Sequence, residues 1–150
     1  MINLRKLKKL RVSKLNNLAQ KIRKFMISSV SKTGGHIGAN LATIEISIAI
    51  HKFFNSPKDK IIFDTGHQGY THKILTGRLN QFKKLNKHKG LSRFIKRSES
   101  SHDIIDASHA GTAFSIASGL AYKFINSKNR VCVLIGDGSI NEGMSFEGLN

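Results

Sequence analysis

Residues 131–139 read Val-Cys-Val-Leu-Ile-Gly-Asp-Gly-Ser, and they are the most informative segment of the chain for its fold class. The apolar run Val131–Ile135 is rich in β-branched residues and predicts a short strand buried on both faces. The turn at 136–139 then ends that strand, and the residues after it predict a helix. In an open α/β sheet, ligands bind beyond the carboxyl ends of the strands. Asp137, between two glycines, suits a hard cation that bridges to a phosphate or diphosphate, although an ordinary strand-to-helix turn has the same sequence features.

A second strand is predicted at Ile61-Ile62-Phe63-Asp64, and it too runs into a glycine-containing loop. Along the chain, helical patterns alternate with these strands, without an internal repeat or an interdomain linker. This order predicts an α/β fold with a parallel sheet flanked by helices. A chain of 150 residues is long enough for one domain with a real core.

Two helical segments precede the first strand. Residues 1–29 carry apolar side chains spaced mostly three or four apart and basic side chains between them, which predicts an amphipathic helical lead-in. A helix packed on a domain explains this stripe better than a helix on nucleic acid or a membrane surface. Residues 41–54 predict a helix that is apolar nearly all round and therefore buried. Glu45 in that helix must be paired, either with a basic residue or with a ligand or partner.

The chain is strongly basic, with 25 Lys and Arg against 9 Asp and Glu and a net charge of +16. This charge raises a basic nucleic-acid-binding module as an alternative of another class. The basic residues are spread along the chain, however, and a basic surface serves phosphorylated small molecules equally well. We therefore expect no specific nucleic-acid partner. No apolar run approaches a membrane span, and the expected location is cytoplasmic, with a plastid-type organelle left open.

Three loops place a histidine among small residues. His36 follows Gly34-Gly35, His67 follows Gly66, and His109 lies in Asp106-Ala-Ser-His-Ala-Gly-Thr-Ala113. Strand ends and helix starts gather on one edge of a parallel sheet, so His36, His67, His109 and Asp137 are predicted to line one crevice suited to a phosphate cofactor. Ser108 or Thr112 is a candidate N-cap of a helix running to about Phe124, whose start is a candidate anion site.

Metal and thiol chemistry of other kinds is disfavoured. His67 and His72 lack a third ligand at zinc-site spacing, and Cys132 is isolated. Because Cys132 lies in an apolar strand, it is interpreted as a packed thiol rather than a nucleophile.

Six motifs occur in the order found in one enzyme family. They are Ser29-Val-Ser-Lys-Thr-Gly-Gly-His36, Pro57-Lys-Asp-Lys-Ile-Ile62, Gly66-His-Gln68 with Tyr70 and His72-Lys-Ile-Leu-Thr-Gly-Arg78, Gly90-Leu-Ser92, Lys96-Arg-Ser-Glu-Ser100 and Gly136-Asp-Gly138. From about residue 15 to its end, the chain resembles the 1-deoxy-D-xylulose-5-phosphate synthase family of transketolase-like enzymes, which depend on thiamine diphosphate. The last motif also resembles the start of the general thiamine-diphosphate signature.

The resemblance implies a partial N-terminal thiamine-diphosphate-binding domain of the transketolase diphosphate-binding type over 1–150. It implies thiamine diphosphate and Mg²⁺ as cofactors, with pyruvate and D-glyceraldehyde 3-phosphate as substrates. His36 would be catalytic, placed for proton transfer, and Asp137 would ligate the magnesium. The cofactor contacts it implies are His67, Ser108, His109, Ala110, Gly138 and Ser139.

The chain also departs from the family pattern. Ser108 and Ala110 stand where the family has Gly and Ser, and Asn141-Glu142 looks more like transketolase, which leaves a split transketolase subunit as an alternative. The resemblance places the distal metal-ligating Asn and the activating Glu beyond Asn150. We therefore expect an N-terminal fragment that is inactive alone and that acts in a homodimeric full-length protein or with a chain carrying the pyrimidine-binding domain.

Overall fold

The structure is a computed structural model that describes residues 2–107 and 110–150. The chain divides into two compact units, Met1–Phe54 with His67–Arg93, and Asn55–Gly66 with Phe94–Asn150. The first unit contains helices α1 (Leu4–Lys9), α2 (Leu15–Thr33), α3 (Gly38–Ala42), α4 (Ile44–Phe53) and α5 (Tyr70–Lys73). The second unit contains strand β1 (Lys60–Phe63), helix α6 (Ala113–Lys123), strand β2 (Val131–Leu134) and helix α7 (Gly143–Leu149).

The second unit is built on a small parallel sheet. Strands β1 and β2 pair in parallel, with Lys60 opposite Val131 and Phe63 opposite Leu134. This pairing, with helices around it, confirms the predicted α/β class. Burial on both faces is found for β1, where Ile61, Ile62 and Phe63 are all buried. For β2 the prediction of full burial was wrong, since only Leu134 is buried, because β1 is the one strand bonded to it among the described residues.

Asp59 ties the two strands together at their amino ends. Its carboxylate accepts hydrogen bonds from the backbone N–H groups of Asn55, at 2.7 Å, and Arg130, at 2.9 Å, and pairs with the Arg130 guanidinium at 3.2 Å. Burial acts to raise the pKa of Asp59, but these hydrogen bonds outweigh it and hold that pKa below its ordinary value. The folded protein therefore favours the ionised carboxylate of Asp59 over its protonated form.

This lowered pKa predicts a specific acid sensitivity. A group whose pKa falls on folding contributes stability above its unfolded pKa, and loses that contribution as the pH drops through its folded pKa. Between about pH 6 and about pH 3, urea unfolding should show a smaller loss of stability for Asp59→Asn than for the parent chain, although the variant starts lower. Glu147→Gln, an exposed acid in the same unit, should keep the parent's pH dependence. Equal pH dependence in Asp59→Asn and the parent would contradict the assignment.

The first unit packs its helices around an aliphatic core. The largest buried side chains include Leu7, Met26, Tyr70, Leu75 and Phe82, and apolar residues of α2 complete the cluster. Residues 74–84 continue α5 as a wide turn, Ile74–Arg78, and a 3-10 helix, Leu79–Lys84. Among the described residues, no helix combines the length and apolar character needed to cross a bilayer.

The apolar stripe of residues 1–29 does not form one continuous helix. The backbone is extended at Leu10 and Arg11, so that α1 ends there and α2 begins at Leu15 and runs on to Thr33. The Lys52 ammonium donates to the carbonyls of Leu10, at 2.7 Å, and Lys8, at 3.2 Å. A cation that satisfies the last carbonyls of α1 stabilises this helix end, which the stripe alone does not reveal.

The expectation of one buried helix over 41–54 was also wrong. Thr43 interrupts it, since its hydroxyl donates to the carbonyl of Ala39 at 3.0 Å and its φ and ψ of −99° and 8° leave the helical range. Within α4, Ile46 and Phe53 are exposed, because neighbours cover only one side of the helix. Glu45 is exposed as well and forms an ion pair with Arg23 at 2.6 Å. It is therefore paired with a basic residue, one of the two alternatives open from the sequence.

Candidate functional site

His36 and His67 lie against each other in the first unit. Their ring centroids are 3.8 Å apart and the ring planes are inclined by 52°. His36 is exposed on the loop between α2 and α3, and His67 is half-buried. Two loops that are 31 positions apart in the sequence therefore present their imidazoles together, as the sequence predicted for these two residues.

Asn40 joins the two loops that carry these histidines. Its side-chain Nδ2 donates to the His36 carbonyl at 2.6 Å, and its Oδ1 accepts from the backbone N–H of Tyr70 at 2.8 Å. Tyr70 begins α5, three positions after His67. Asn40 is fully buried, so both ends of its amide are used inside the protein.

A glycine is required beside this pair. A Cβ on Gly35 would lie 2.6 Å from the Tyr70 hydroxyl oxygen, and the φ of Gly35 is +138°, which L side chains rarely adopt. Burial raises the pKa of Tyr70, while the backbone of His36 and the charge of Arg93 lower it less strongly. The phenol of Tyr70 is therefore neutral at physiological pH, and its hydroxyl lies against Gly35.

Gln68 brings an unsatisfied polar atom to the same region. Its side chain is buried, and its Oε1 has no hydrogen-bond partner among the described residues. A buried acceptor without a partner costs free energy unless a water or ligand group donates to it.

In the second unit, Asp64 organises the start of α6. Its carboxylate accepts from the backbone N–H of Gly111, at 2.9 and 3.0 Å, and from that of Ala113 at 3.0 Å. Thr112 occupies the N-cap position without a side-chain cap, so its predicted capping role was wrong. The sequence offered this helix start as an anion site. The anion that lies there is the carboxylate of Asp64, which follows directly after β1.

The backbone at Gly66 packs closely against Ala107, the last described residue before the third predicted histidine. A Cβ on Gly66 would collide with the carbonyl oxygen of Ala107, so only glycine allows this approach. Ser108 and His109 lie outside the described residues. Ala110 is half-buried and immediately precedes Gly111, which Asp64 holds.

The turn at 136–139 lies next to that segment. The buried Ser145 hydroxyl donates to the Ser139 carbonyl at 2.6 Å and lies 3.5 Å from the Gly111 carbonyl. Asp137 is exposed, and a Cβ on Gly138 would meet nothing within 4 Å. The turn is therefore open to an approaching ligand at Gly138 and at Asp137. These features fit a metal-bridged diphosphate.

A further histidine pair among the described residues includes neither His36 nor His67. His51 Nε2 and His72 Nδ1 are 2.9 Å apart in the core of the first unit.

A cavity of about 620 Å³ in that unit is lined by apolar residues such as Ile22, Phe25 and Ile74, and none of the predicted site residues lines it. Within residues 2–107 and 110–150, no three His, Cys, Asp or Glu side chains form a metal-binding group. Burial raises the pKa of the half-buried Cys132 thiol, which makes it a poor nucleophile.

The structure places some of the predicted site residues together. It brings His36 to His67, and Ala110 with Gly111 to the turn carrying Ser139. A single crevice that includes His109 and Asp137 stays a prediction. Sequence reasoning assigned no role to Asn40 or Asp64. The available sequence signals were the position of Asn40 at the end of a glycine loop and the position of Asp64 at the end of an apolar strand.

The arrangement is that of an α/β domain with a histidine pair and a glycine-rich strand-end turn open to an anion. The sequence model of the family described as 1-deoxy-D-xylulose-5-phosphate synthase matches residues 1–150. The chain therefore belongs to the 1-deoxy-D-xylulose-5-phosphate synthase family.

Curated relatives of that name are similar over nearly the whole chain. The protein of Halothermothrix orenii is 51% identical over 146 residues, which cover 96% of this chain and 23% of the relative. The Alkaliphilus oremlandii protein is 53% identical over 145 residues, with 95% and 23% covered. The Thermobifida fusca protein is 54% identical over 147 residues, with 96% and 23% covered. The chain thus spans about a quarter of the length of these relatives.

Proposed function

We propose that residues 1–150 form the N-terminal part of the diphosphate-binding domain of a 1-deoxy-D-xylulose-5-phosphate synthase. The family match over the whole chain is the observation that carries this proposal. The reaction would join pyruvate and D-glyceraldehyde 3-phosphate, with release of CO₂, to give 1-deoxy-D-xylulose 5-phosphate, a precursor for isoprenoid, thiamine and pyridoxal synthesis. Neither the family match nor the relatives favour a nucleic-acid-binding module.

In this proposal, the turn at 136–139 binds the diphosphate of the cofactor and its metal ion. Asp137 ligates Mg²⁺, and Gly138 and Ser139 contact the diphosphate through the open backbone of their turn. Ser108, His109 and Ala110 contribute further cofactor contacts, beside the segment that Asp64 fixes. Magnesium commonly combines one or two carboxylates with phosphate oxygens, which matches one exposed aspartate and a diphosphate.

Two further histidines are assigned to the cofactor and to the substrate. His67 contacts thiamine diphosphate. His36, the more exposed ring of the pair, moves protons to and from the substrate. When bound, thiamine diphosphate supplies the carbanion stabilisation that decarboxylation of an α-keto acid requires, and the chain supplies orientation and proton transfer.

A chimaera tests this function directly. In the Halothermothrix orenii relative, the matching 146 residues would be replaced by those of this chain. We expect thiamine-diphosphate-dependent CO₂ release from pyruvate that requires D-glyceraldehyde 3-phosphate, because the replaced segment is 51% identical to this chain. The unmodified relative is the control. A folded chimaera that makes no deoxyxylulose phosphate, while the relative does, would contradict the proposal.

The same chimaera separates the synthase from transketolase. A transketolase-type site would transfer a two-carbon ketol unit from a ketose phosphate and release no CO₂. We expect pyruvate to be the better donor by product analysis, since the chain matches the synthase family throughout. The quaternary arrangement, a homodimer or a complementing chain with the pyrimidine-binding domain, is measured on the same preparation by light scattering.

A further inference from the structure

We propose that Asn40 is the positioning residue that sets the contact between His36 and His67. The inference rests on the proposed function for its catalytic consequence, but its structural content stands on distances within the first unit. Asn40 is fully buried. It acts through the backbone of the two loops that present the imidazoles.

The His36 loop has little stiffness of its own. Gly34 and Gly35 precede the histidine with φ values of +75° and +138°, and Gly38 follows it. Glycines give the backbone many accessible conformations, so a defined position for His36 requires a tertiary anchor. The Nδ2 of Asn40 supplies that anchor at the His36 carbonyl, 2.6 Å away.

The other end of the same amide fixes the second loop. Its Oδ1 accepts from the Tyr70 N–H at 2.8 Å, at a point 30 positions along the chain and just after His67. One fully buried side chain therefore connects the backbone of both histidine loops. A short amide is suited to this task because it carries a donor and an acceptor on one rigid group.

Substitutions of Asn40 separate its two hydrogen bonds. Asn40→Asp keeps an oxygen to accept from Tyr70 but loses the donor to the His36 carbonyl. Asn40→Ala loses both. Ser47→Ala is the matched control, because Ser47 is equally buried in the first unit and its hydroxyl has no hydrogen-bond partner among the described residues.

The test measures the ring contact itself. The chain would be labelled at histidine, and cross-relaxation between the imidazole protons of His36 and His67 would be recorded by NMR. We expect a cross-peak in the parent and in Ser47→Ala, and its loss in Asn40→Asp and Asn40→Ala. A cross-peak that persists in both folded Asn40 variants overturns the proposal.

A second measurement needs no variant to fold. In the parent chain, the Tyr70 amide and the Asn40 side-chain amide should exchange with solvent much more slowly than amides of the exposed turns. Exchange of either group at the rate of an exposed amide overturns the proposal. This readout reports the two hydrogen bonds and is independent of activity.

The functional consequence is measured in the chimaera. Asn40→Asp should weaken thiamine diphosphate binding by about tenfold, the factor that corresponds to loss of one buried hydrogen bond, while Ser47→Ala leaves it unchanged. Unchanged affinity in Asn40→Asp overturns the positioning role. If the chimaera with Asn40 intact binds no thiamine diphosphate, the proposed function fails instead, and the cross-peak still decides whether Asn40 places the rings.

Discussion

Replacement of Asp64 by alanine is expected to destabilise the second unit by about 3 kcal/mol, because two buried N–H groups lose their acceptor at a cost of roughly 1–3 kcal/mol each. These are the N–H groups of Gly111 and Ala113, which point at the Asp64 carboxylate over 2.9–3.0 Å. The carboxylate is also completely buried at the positive end of α6, where a negative charge is favoured. Urea unfolding, followed by circular dichroism, measures the change.

Two further substitutions give this prediction its controls. Asp106→Ala also removes a carboxylate that accepts from a backbone N–H, that of Arg97, but the Asp106 side chain is 55% exposed. Water replaces the carboxylate there, so we expect little loss of stability. Asp64→Asn keeps one acceptor oxygen and should fall between the parent and Asp64→Ala. If Asp64→Ala proves as stable as Asp106→Ala, the three hydrogen bonds do not hold α6 in place.

The role of Asp64 is one that the local sequence does not predict. The strand Ile61–Phe63 was predictable because its apolar residues form a compact run, and so was the turn after Val131–Leu134. The role of Asp64 depends on which N–H groups meet it 47 and 49 positions later, and no local pattern encodes that meeting. Local reasoning therefore chose Ser108 or Thr112 as the cap of α6, since both stand beside it in the sequence.

The helices of the first unit give the same lesson. The apolar spacing of α2 identified Leu18, Ile22 and Met26, which are buried. It did not reveal the extended residues at Leu10 and Arg11, because the partner that stabilises that helix end, Lys52, lies 42 positions from Leu10. Composition made α4 look fully buried, but burial depends on which neighbours pack on each side, and Phe53 is 65% exposed.

Two of the predicted site residues lie in contact, and the site itself stays a prediction. Glycine loops with a histidine were readable from the sequence, and His36 indeed contacts His67. The sequence did not show how a flexible loop acquires one position, since that depends on the Asn40 amide and on the Tyr70 hydroxyl against Gly35. Residue types therefore indicate candidates for the groups that carry chemistry, but they do not indicate the groups that hold those candidates in place.

Asp137→Ala is expected to remove the magnesium dependence of thiamine diphosphate binding in the chimaera. Asp137 is an exposed carboxylate directly after β2, and the neighbouring Gly138 leaves its backbone open to a ligand. Mg²⁺ gives up its water reluctantly, so one exposed carboxylate binds it weakly. A diphosphate adds oxygens to the same ion, and metal and cofactor should then bind with mutual dependence.

Calorimetric titration of thiamine diphosphate, with and without Mg²⁺, measures this coupling. The parent chimaera should bind the cofactor much more tightly with the metal, and Asp137→Ala should bind it equally weakly in both conditions. Product formation should fall by more than the roughly 10–100-fold that loss of an outer-shell partner costs, because Asp137 is proposed as a direct ligand.

A matched charge change separates ligation from general electrostatics. Asp137→Asn and Glu147→Gln each remove one exposed negative charge from the second unit. With a net charge of +16 on the chain, a loss of either charge raises the attraction for a diphosphate at long range. Glu147→Gln should therefore bind thiamine diphosphate as well as the parent does. Asp137→Asn should bind it more weakly, because an amide oxygen is a poorer magnesium ligand than a carboxylate. Retention of the parent's magnesium dependence in Asp137→Ala would show that another group holds the metal, and that the turn at 136–139 is a structural strand-to-helix connection.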